Sequence, residues 1–213
     1  MKPPPKCPRC AAVVRPPGLM SSDWLCDVHG AVHPYHGPTL PSDGAMRRVI
    51  EAAQVPVWLP WPLPAGWLVT GVADAGDDRT GGRATVVACS GPAPFGGVGE
   101  LVLVAEELGV GLGARFAGLP GPDPGEGFAV DAPGARVDAV GWPTPLWSVA
   151  DDPDLARDRA VWVGEAAGAW LWVVMWPETA DLLLHDGLSL VDLRDPAFSL
   201  DLPFGALSPR LAA

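Results

Sequence analysis

The chain predicts an α+β protein: a mainly antiparallel β-sheet body with a small cysteine-rich segment at its N-terminus. Three observations carry this. Two closely spaced ligand pairs, Cys7-x2-Cys10 and Cys26-x2-His29, lie within the first thirty residues. After Trp67, short apolar runs rich in Val, Leu and Trp recur between Gly- and Asp-rich turns, as in hairpin-linked strands. Between those runs there is no room for the crossover helices that parallel strands require.

Composition supports a packed core and narrows the partners. Hydrophobic residues make up 48% of the 213 positions and ten are Trp, far too apolar for a disordered chain. The 26 Gly and 26 Pro alternate with apolar runs and read as tight turns. A formal charge of −11 opposes attraction to phosphate backbones and anionic lipid, so neither a nucleic-acid nor a membrane partner is expected. The charge is uneven: residues 1–48 hold six basic groups against three acidic ones, which leaves the acidity to the remainder. MKPPPKC lacks the apolar stretch of a secretory signal, and the longest apolar run, 169–177, is too short to cross a bilayer. A cytoplasmic, reducing location is therefore expected, where clustered cysteines bind metal rather than pair.

Residues 1–40 read as a zinc-ribbon-like head and residues 41–213 as a β-rich body. In the head, Cys7, Cys10, Cys26 and His29 form two ligand pairs. A two-residue spacer lets each pair grip one ion from a tight turn, with backbone amides folded over the sulfurs. Pro8 stiffens the first turn, and Arg15-Pro16-Pro17-Gly18 reverses the chain between the arms. Three thiolates and an imidazole favour zinc over magnesium or calcium, with iron as the alternative. His33 and His36 compete with His29, which is preferred because it repeats the spacing of the first pair. Buried free thiols are the bland alternative, disfavoured by this spacing. Four protein ligands leave no open position for water or substrate, so a structural zinc is expected, supplying the folding free energy of a segment too small for its own core. Residues 33–44, HPYHGPTLPSDG, read as a polar, proline-broken linker.

A helix is expected over 41–54, with Met46, Val49, Ile50 and Ala53 on one face and Ser42 or Asp43 as N-cap. Residues 55–67 hold four prolines and Trp58, Trp61 and Trp67. They read as an extended, ladder-poor strap whose indoles fill its own core, in preference to a ligand for a partner's groove. Strands are expected over 67–74 and 83–90 as a hairpin, then 100–108, 136–141 and 144–150. A second hairpin pairs 160–165 with 169–176, and 182–185 turns at Asp186-Gly187 into 188–194. Residues 118–128 and 195–210 read as irregular. Alternation within 169–176 sends Trp170, Trp172, Val174 and Trp176 to one face and Leu171, Val173 and Met175 to the other. A row of indoles makes a platform for sugars or bases only beside polar orienting groups. With none nearby, a strand buried on both sides is the better reading.

No catalytic constellation stands out. GVGLGA, residues 109–114, matches a dinucleotide-binding pattern, but only Arg115, Phe116 and Ala117 follow before Gly118, too few for the helix it needs. Glu106-Glu107 would also repel phosphate. Cys89 reads as a small core residue, and His185, the body's only histidine, falls at an expected hairpin turn. Asp77-Asp78 and Glu106-Glu107 read as charge pairs facing water.

The head CPRC…CDVHG, the stretch VPVWLPWPLPAGWLVTGVADAGDDRTGGRATVVACSGP, the segment GELVLVAEELGVGLGARFAG and the tail GALSPRL together resemble a family of actinobacterial proteins of unknown function. The resemblance spans nearly the whole chain and is most specific in the strap. It implies a cytoplasmic bacterial protein with a zinc-ribbon-like head, and it brings no activity and no catalytic residues. The function expected is therefore non-enzymatic: a zinc-binding interaction or scaffold protein with a protein partner. The alternative is an enzyme with a cleft near the loop from Asp77 to Arg83, where Asp77, Asp78, Arg79 and Arg83 form the body's most polar cluster.

Overall fold

A computed structural model of the chain describes residues 3–19, 21–125, 128–149, 158–199 and 201–211. Strands β1 (Trp24–Cys26) and β2 (Gly30–Val32) form a two-stranded ribbon in the head. Next come β3 (Tyr35–Thr39), helix α1 (Asp43–Ala52) and β4 (Trp58–Pro60). The long strands β5 (Leu68–Asp77), β6 (Gly81–Pro92) and β7 (Val98–Glu106) follow, then the short helix α2 (Leu112–Ala117). β8 (Ala135–Ala139), β9 (Trp142–Ser148), β10 (Ala160–Ala166) and β11 (Ala169–Trp176) lead to the helical turn α3 (Leu182–His185) and to β12 (Ser189–Asp192). Ten of these strands make one sheet in the order β3-β5-β6-β7-β11-β10-β9-β8-β12-β4. The fold is thus α+β with a large, mainly antiparallel sheet, as the turn-linked apolar runs require.

Helix α1 starts where its sequence says. Ser42 caps it, its hydroxyl accepting from the amide of Ala45 at 3.2 Å, and Met46 and Val49 are buried against the sheet. The first hairpin is longer than expected: β5 and β6 pair out to Asp77 and Gly81, so Ala75, Gly76, Asp77, Gly81 and Gly82 also belong to strands. At its tip, the Asp77 carboxylate accepts from the amides of Arg79 and Thr80 and from the Thr80 hydroxyl, which fixes the turn.

β11 lies between β7 and β10 and is covered on both sides. Leu171, Val173 and Met175 join one core with Trp58, Leu59 and Trp67 of the strap. Trp172, Val174 and Trp176 join the other, with Leu112, Ala114 and Phe116 of α2. The period-2 pattern was enough to place this strand. Gly113 is what lets α2 approach: a β-carbon there would stand 2.1 Å from Cδ1 of Trp172. Burial of the strap indoles at Trp58 and Trp67 agrees with a strap laid over its own core, while Trp61 is part-exposed and packs edge-on against Phe198.

The strap is ladder-poor as expected, with only Trp58–Pro60 (β4) paired as a strand, antiparallel to β12 with Leu59 opposite Val191. Four expectations need correction. Residues 182–185 form no strand: they are α3, preceded by a 3-10 turn over Glu178–Asp181. Leucines, which are not branched at Cβ, suit a helical turn, and that turn carries the chain round so that β12 adds parallel to β8, Ser189 opposite Asp138. GVGLGA does open a helix, the six-residue α2, but no phosphate could enter there. The buried Glu106 carboxylate sits at its start, accepting from the amides of Leu112 at 2.7 Å and Gly113 at 3.1 Å. Glu106 therefore does not face water, whereas Glu107 pairs with Arg83 at 2.6 Å. Finally, residues 33–44 are no loose linker, since Tyr35 to Thr39 form β3 on the edge of the sheet, Tyr35 opposite Ala75. Among the described residues no helix is long and apolar enough to cross a membrane.

Candidate metal centre

The head has two tight turns facing each other. The first, Cys7 to Cys10, is closed by the amide of Ala11 donating to the Cys7 carbonyl at 2.9 Å, with Ala11 at a left-handed φ of 58°. The second turn joins β1 to β2 between Cys26 and Gly30, where φ of 69° suits glycine. Each turn folds two amides over one sulfur: those of Arg9 and Cys10 toward Cys7, and those of Val28 and His29 toward Cys26. Such N–H groups stabilise thiolate rather than thiol.

These turns bring Cys7, Cys10, Cys26 and His29 together, with the four ligand atoms all within 4.8 Å of one another. Sγ of Cys7 lies 3.5 Å from Nδ1 of His29, Sγ of Cys10 3.7 Å from Sγ of Cys26, and Sγ of Cys26 3.7 Å from Nδ1 of His29. A tetrahedral zinc with its usual bond lengths has edges of about 3.8 Å between sulfurs and about 3.5 Å between sulfur and nitrogen. These three spacings match edges of that polyhedron, and the Cys10–Cys26 distance is far too long for a disulfide, at about 2 Å. Cys7 and Cys26 are buried, His29 is half-buried and Cys10 is exposed.

Burial pushes the Cys7 thiol up to about 11 against the pull of the Cys10 and Arg9 amides. At Cys26 burial also acts upward, but the Val28 and His29 amides and the His29 ring bring the thiol down to about 6. A dication in the cluster would make the donor set uniform by displacing the remaining protons. Of the competing histidines, His36 puts Nε2 2.9 Å from the Gly76 carbonyl oxygen. His33 is half-buried near Arg83, and its pKa is lowered first by burial and then by that charge. His29 is the one that joins the sulfurs.

The head is fastened to the body. Lys6 and Tyr35 exchange backbone hydrogen bonds at 3.0 and 2.7 Å, which ties the first turn to β3. Arg9, inside the first turn, donates to the carbonyls of Gly109 and Val110, and Arg115 of α2 reaches the Cys7 carbonyl at 3.5 Å. Arg79 at the β5–β6 tip pairs with Asp23 at 3.2 Å. Sequence reasoning missed the roles of Arg9 and Arg115, and no spacing rule could have found them: their partners are carbonyls about a hundred residues away.

The other sequence candidates fall elsewhere. Cys89 is buried in β6, where burial and then the charge of Glu100 push its thiol up to about 12, so it is an inert core residue. His185 ends α3 at the surface. A cleft does lie beside the Asp77 turn, lined by residues such as Glu51, Asp74 and Arg48.

Residues 1–211 match the model of a family described as a family of unknown function, DUF6758. No curated protein and no solved structure matches the chain.

Proposed function

The chain belongs to DUF6758, a family of unknown function, and from there we propose that it is a structural zinc protein whose zinc-ribbon-like head organises a surface for a protein partner. The observation that supports this most is the convergence of Cys7, Cys10, Cys26 and His29, with three of the six inter-ligand distances at the edge lengths of a tetrahedral zinc. When bound, the metal supplies the cohesion that the head's few apolar residues do not. Cys7 and Cys26 hold it from the buried side, with their amide-bonded sulfurs, while Cys10 and His29 close the outer side. Four protein ligands leave no place for a substrate, which favours a scaffold over a catalyst. An enzyme centred on the Asp77 loop is disfavoured because the Asp77 carboxylate already serves three donors of its own turn.

The test is elemental analysis of protein expressed with zinc supplied. One equivalent of zinc per chain is expected, lost in Cys26→Ser and retained in His33→Ala and His36→Ala. Well under one equivalent of metal in the unaltered protein would overturn the reading. A visible thiolate–iron absorption band would replace zinc by iron in the same four ligands.

A further inference from the structure

Four arginines that are far apart in sequence converge on one cleft between the head, α2 and the C-terminal turn. They are Arg9, Arg115, Arg159 and Arg210, and Trp176 forms part of the wall. We propose that this cleft binds a small molecule carrying a multiply charged oxyanion, a phosphate or a cluster of carboxylates. Its volume, about 560 Å³, lies within the ordinary range for small-molecule sites.

Each guanidinium is held by the protein but not saturated by it. Arg9 donates to the Gly109 and Val110 carbonyls. Arg115 lies over the Tyr35 ring, 4.7 Å from its centroid, and donates Nη1 to the Cys7 carbonyl. Arg159 donates Nη1 to the Phe116 carbonyl at 3.0 Å, and both Arg159 and Arg210 pack on the Trp176 ring, at 5.1 and 5.0 Å. A guanidinium has five N–H donors; these contacts use two from Arg9 and one each from Arg115 and Arg159, while Arg210 is held by its packing on Trp176. Anchored side chains with donors to spare are a preorganised site for phosphate or carboxylate, which arginine grips through paired N–H bonds.

The acidic groups nearby do not cancel this charge. Glu100 lines the cleft, but its Oε2 accepts from the hydroxyls of Ser90 and Ser208, both at 2.7 Å. Asp158 pairs with Arg159 at 2.7 Å and only loosely with Arg210, at 3.7 Å. Three thiolates around a dication add one negative charge beside Arg9 and Arg115. Four guanidiniums outnumber these three charges, so the cleft keeps a local positive excess within a chain of net charge −11. The half-exposed Asp158 is the group that an incoming oxyanion would displace from Arg210.

The cleft rests on the metal reading in one respect, because Arg9 is positioned by the first turn of the head. The test is therefore calorimetric titration of zinc-loaded, full-length protein, with metal content measured on the same sample. Pyrophosphate and citrate serve as the two probes, one for each oxyanion chemistry. Saturable one-site binding of at least one probe, tighter than about 1 mM, is expected. Arg210→Gln should weaken it roughly tenfold, since charge-assisted hydrogen bonds are the strong ones, and Asp158→Asn should tighten it several-fold. Arg48→Gln, in the separate cleft beside Asp77, should leave it unchanged. Absence of saturable binding by both probes to zinc-replete protein would overturn the proposal, as would binding indifferent to Arg210→Gln and Asp158→Asn.

Discussion

The buried cluster of the head consists of Cys7, Val14 and Cys26, with Trp24 and Val32 packed partly against it, whereas in the sheet both faces of β11 lie under large, separate apolar cores. Ordering a residue costs about 1–2 kcal/mol of backbone entropy alone, and burying a side chain as large as Val returns about 1.5–3 kcal/mol. Three small buried side chains cannot order some thirty residues on those terms. A bound metal can, since structural zinc supplies about 10–16 kcal/mol in peptides of this size. On the proposed reading one chain thus uses two sources of cohesion: ligand chemistry where the segment is too small for a core, and apolar area where the sheet is wide enough to have two.

Metal removal should produce the largest effect and is the most direct way to break that contrast. With a strong chelator, hydrogen exchange read by mass spectrometry should show protection lost through residues 5–32 while β7, β10 and β11 keep theirs. The sheet should still lose something, on the order of 1–3 kcal/mol in denaturant midpoint, because β3 is its edge strand and Lys6, Arg9 and Arg115 join that edge to the head. If β7 and β11 lose protection together with the head, the division into a head of residues 1–40 and a body of residues 41–213 fails, and the chain is one cooperative unit.

The next effect runs the other way. Trp172 is fully buried between β11 and α2, where Gly113 makes room for its indole. Trp172→Ala should destabilise the sheet by about 3–5 kcal/mol, as deletion of a buried aromatic side chain does, with metal content unchanged. Loss of metal in a variant that still shows cooperative unfolding would mean that the head depends on the sheet's packing as well as on its own ligands.

How much of this was legible in the sequence depended on how local the cause was. The convergence of Cys7, Cys10, Cys26 and His29 and the double-sided burial of β11 were readable because spacing and alternation within a few residues determine them. So was the Ser42 cap of α1. The edge role of β3 was not, because Tyr35 is buried by β5 and by the Arg115 guanidinium, both distant in sequence. The helical turn at 182–185 was misread because a short leucine run carries no period. Glu106 was misjudged for a related reason: adjacent carboxylates usually face water, and only the fold shows that α2 turns its first amides onto this one. The arginine cleft was invisible for the strongest form of that reason, since its four members come from four separate segments.

Glu106 gives the smallest expected effect and the finest test of the contrast, because it is an ionisable group buried in the part of the molecule that does not depend on charge. Burial raises its carboxyl from 4.5 to about 7, against the downward pull of the Leu112 and Gly113 amides. An acid whose folded pKa lies above its unfolded value binds its proton more tightly when folded. Its contribution is therefore complete below about pH 4.5, is lost as pH rises through about 7, and changes no further above that. At about 1.4 kcal/mol per pKa unit, the whole swing is about 3–4 kcal/mol at most. The head has the opposite sign, because its thiolates and imidazole must be free of protons to hold metal, so it loosens as pH falls. Acidification from pH 8 to pH 5 should therefore weaken the head while strengthening the sheet. Denaturant midpoints of the unaltered protein and of Glu106→Gln, taken at both pH values with metal content checked, isolate the carboxyl. The unaltered protein should gain about 2–3 kcal/mol on the variant between pH 8 and pH 5. A difference that stays constant with pH would mean that the two α2 amides outweigh burial and that Glu106 stays ionised within the core.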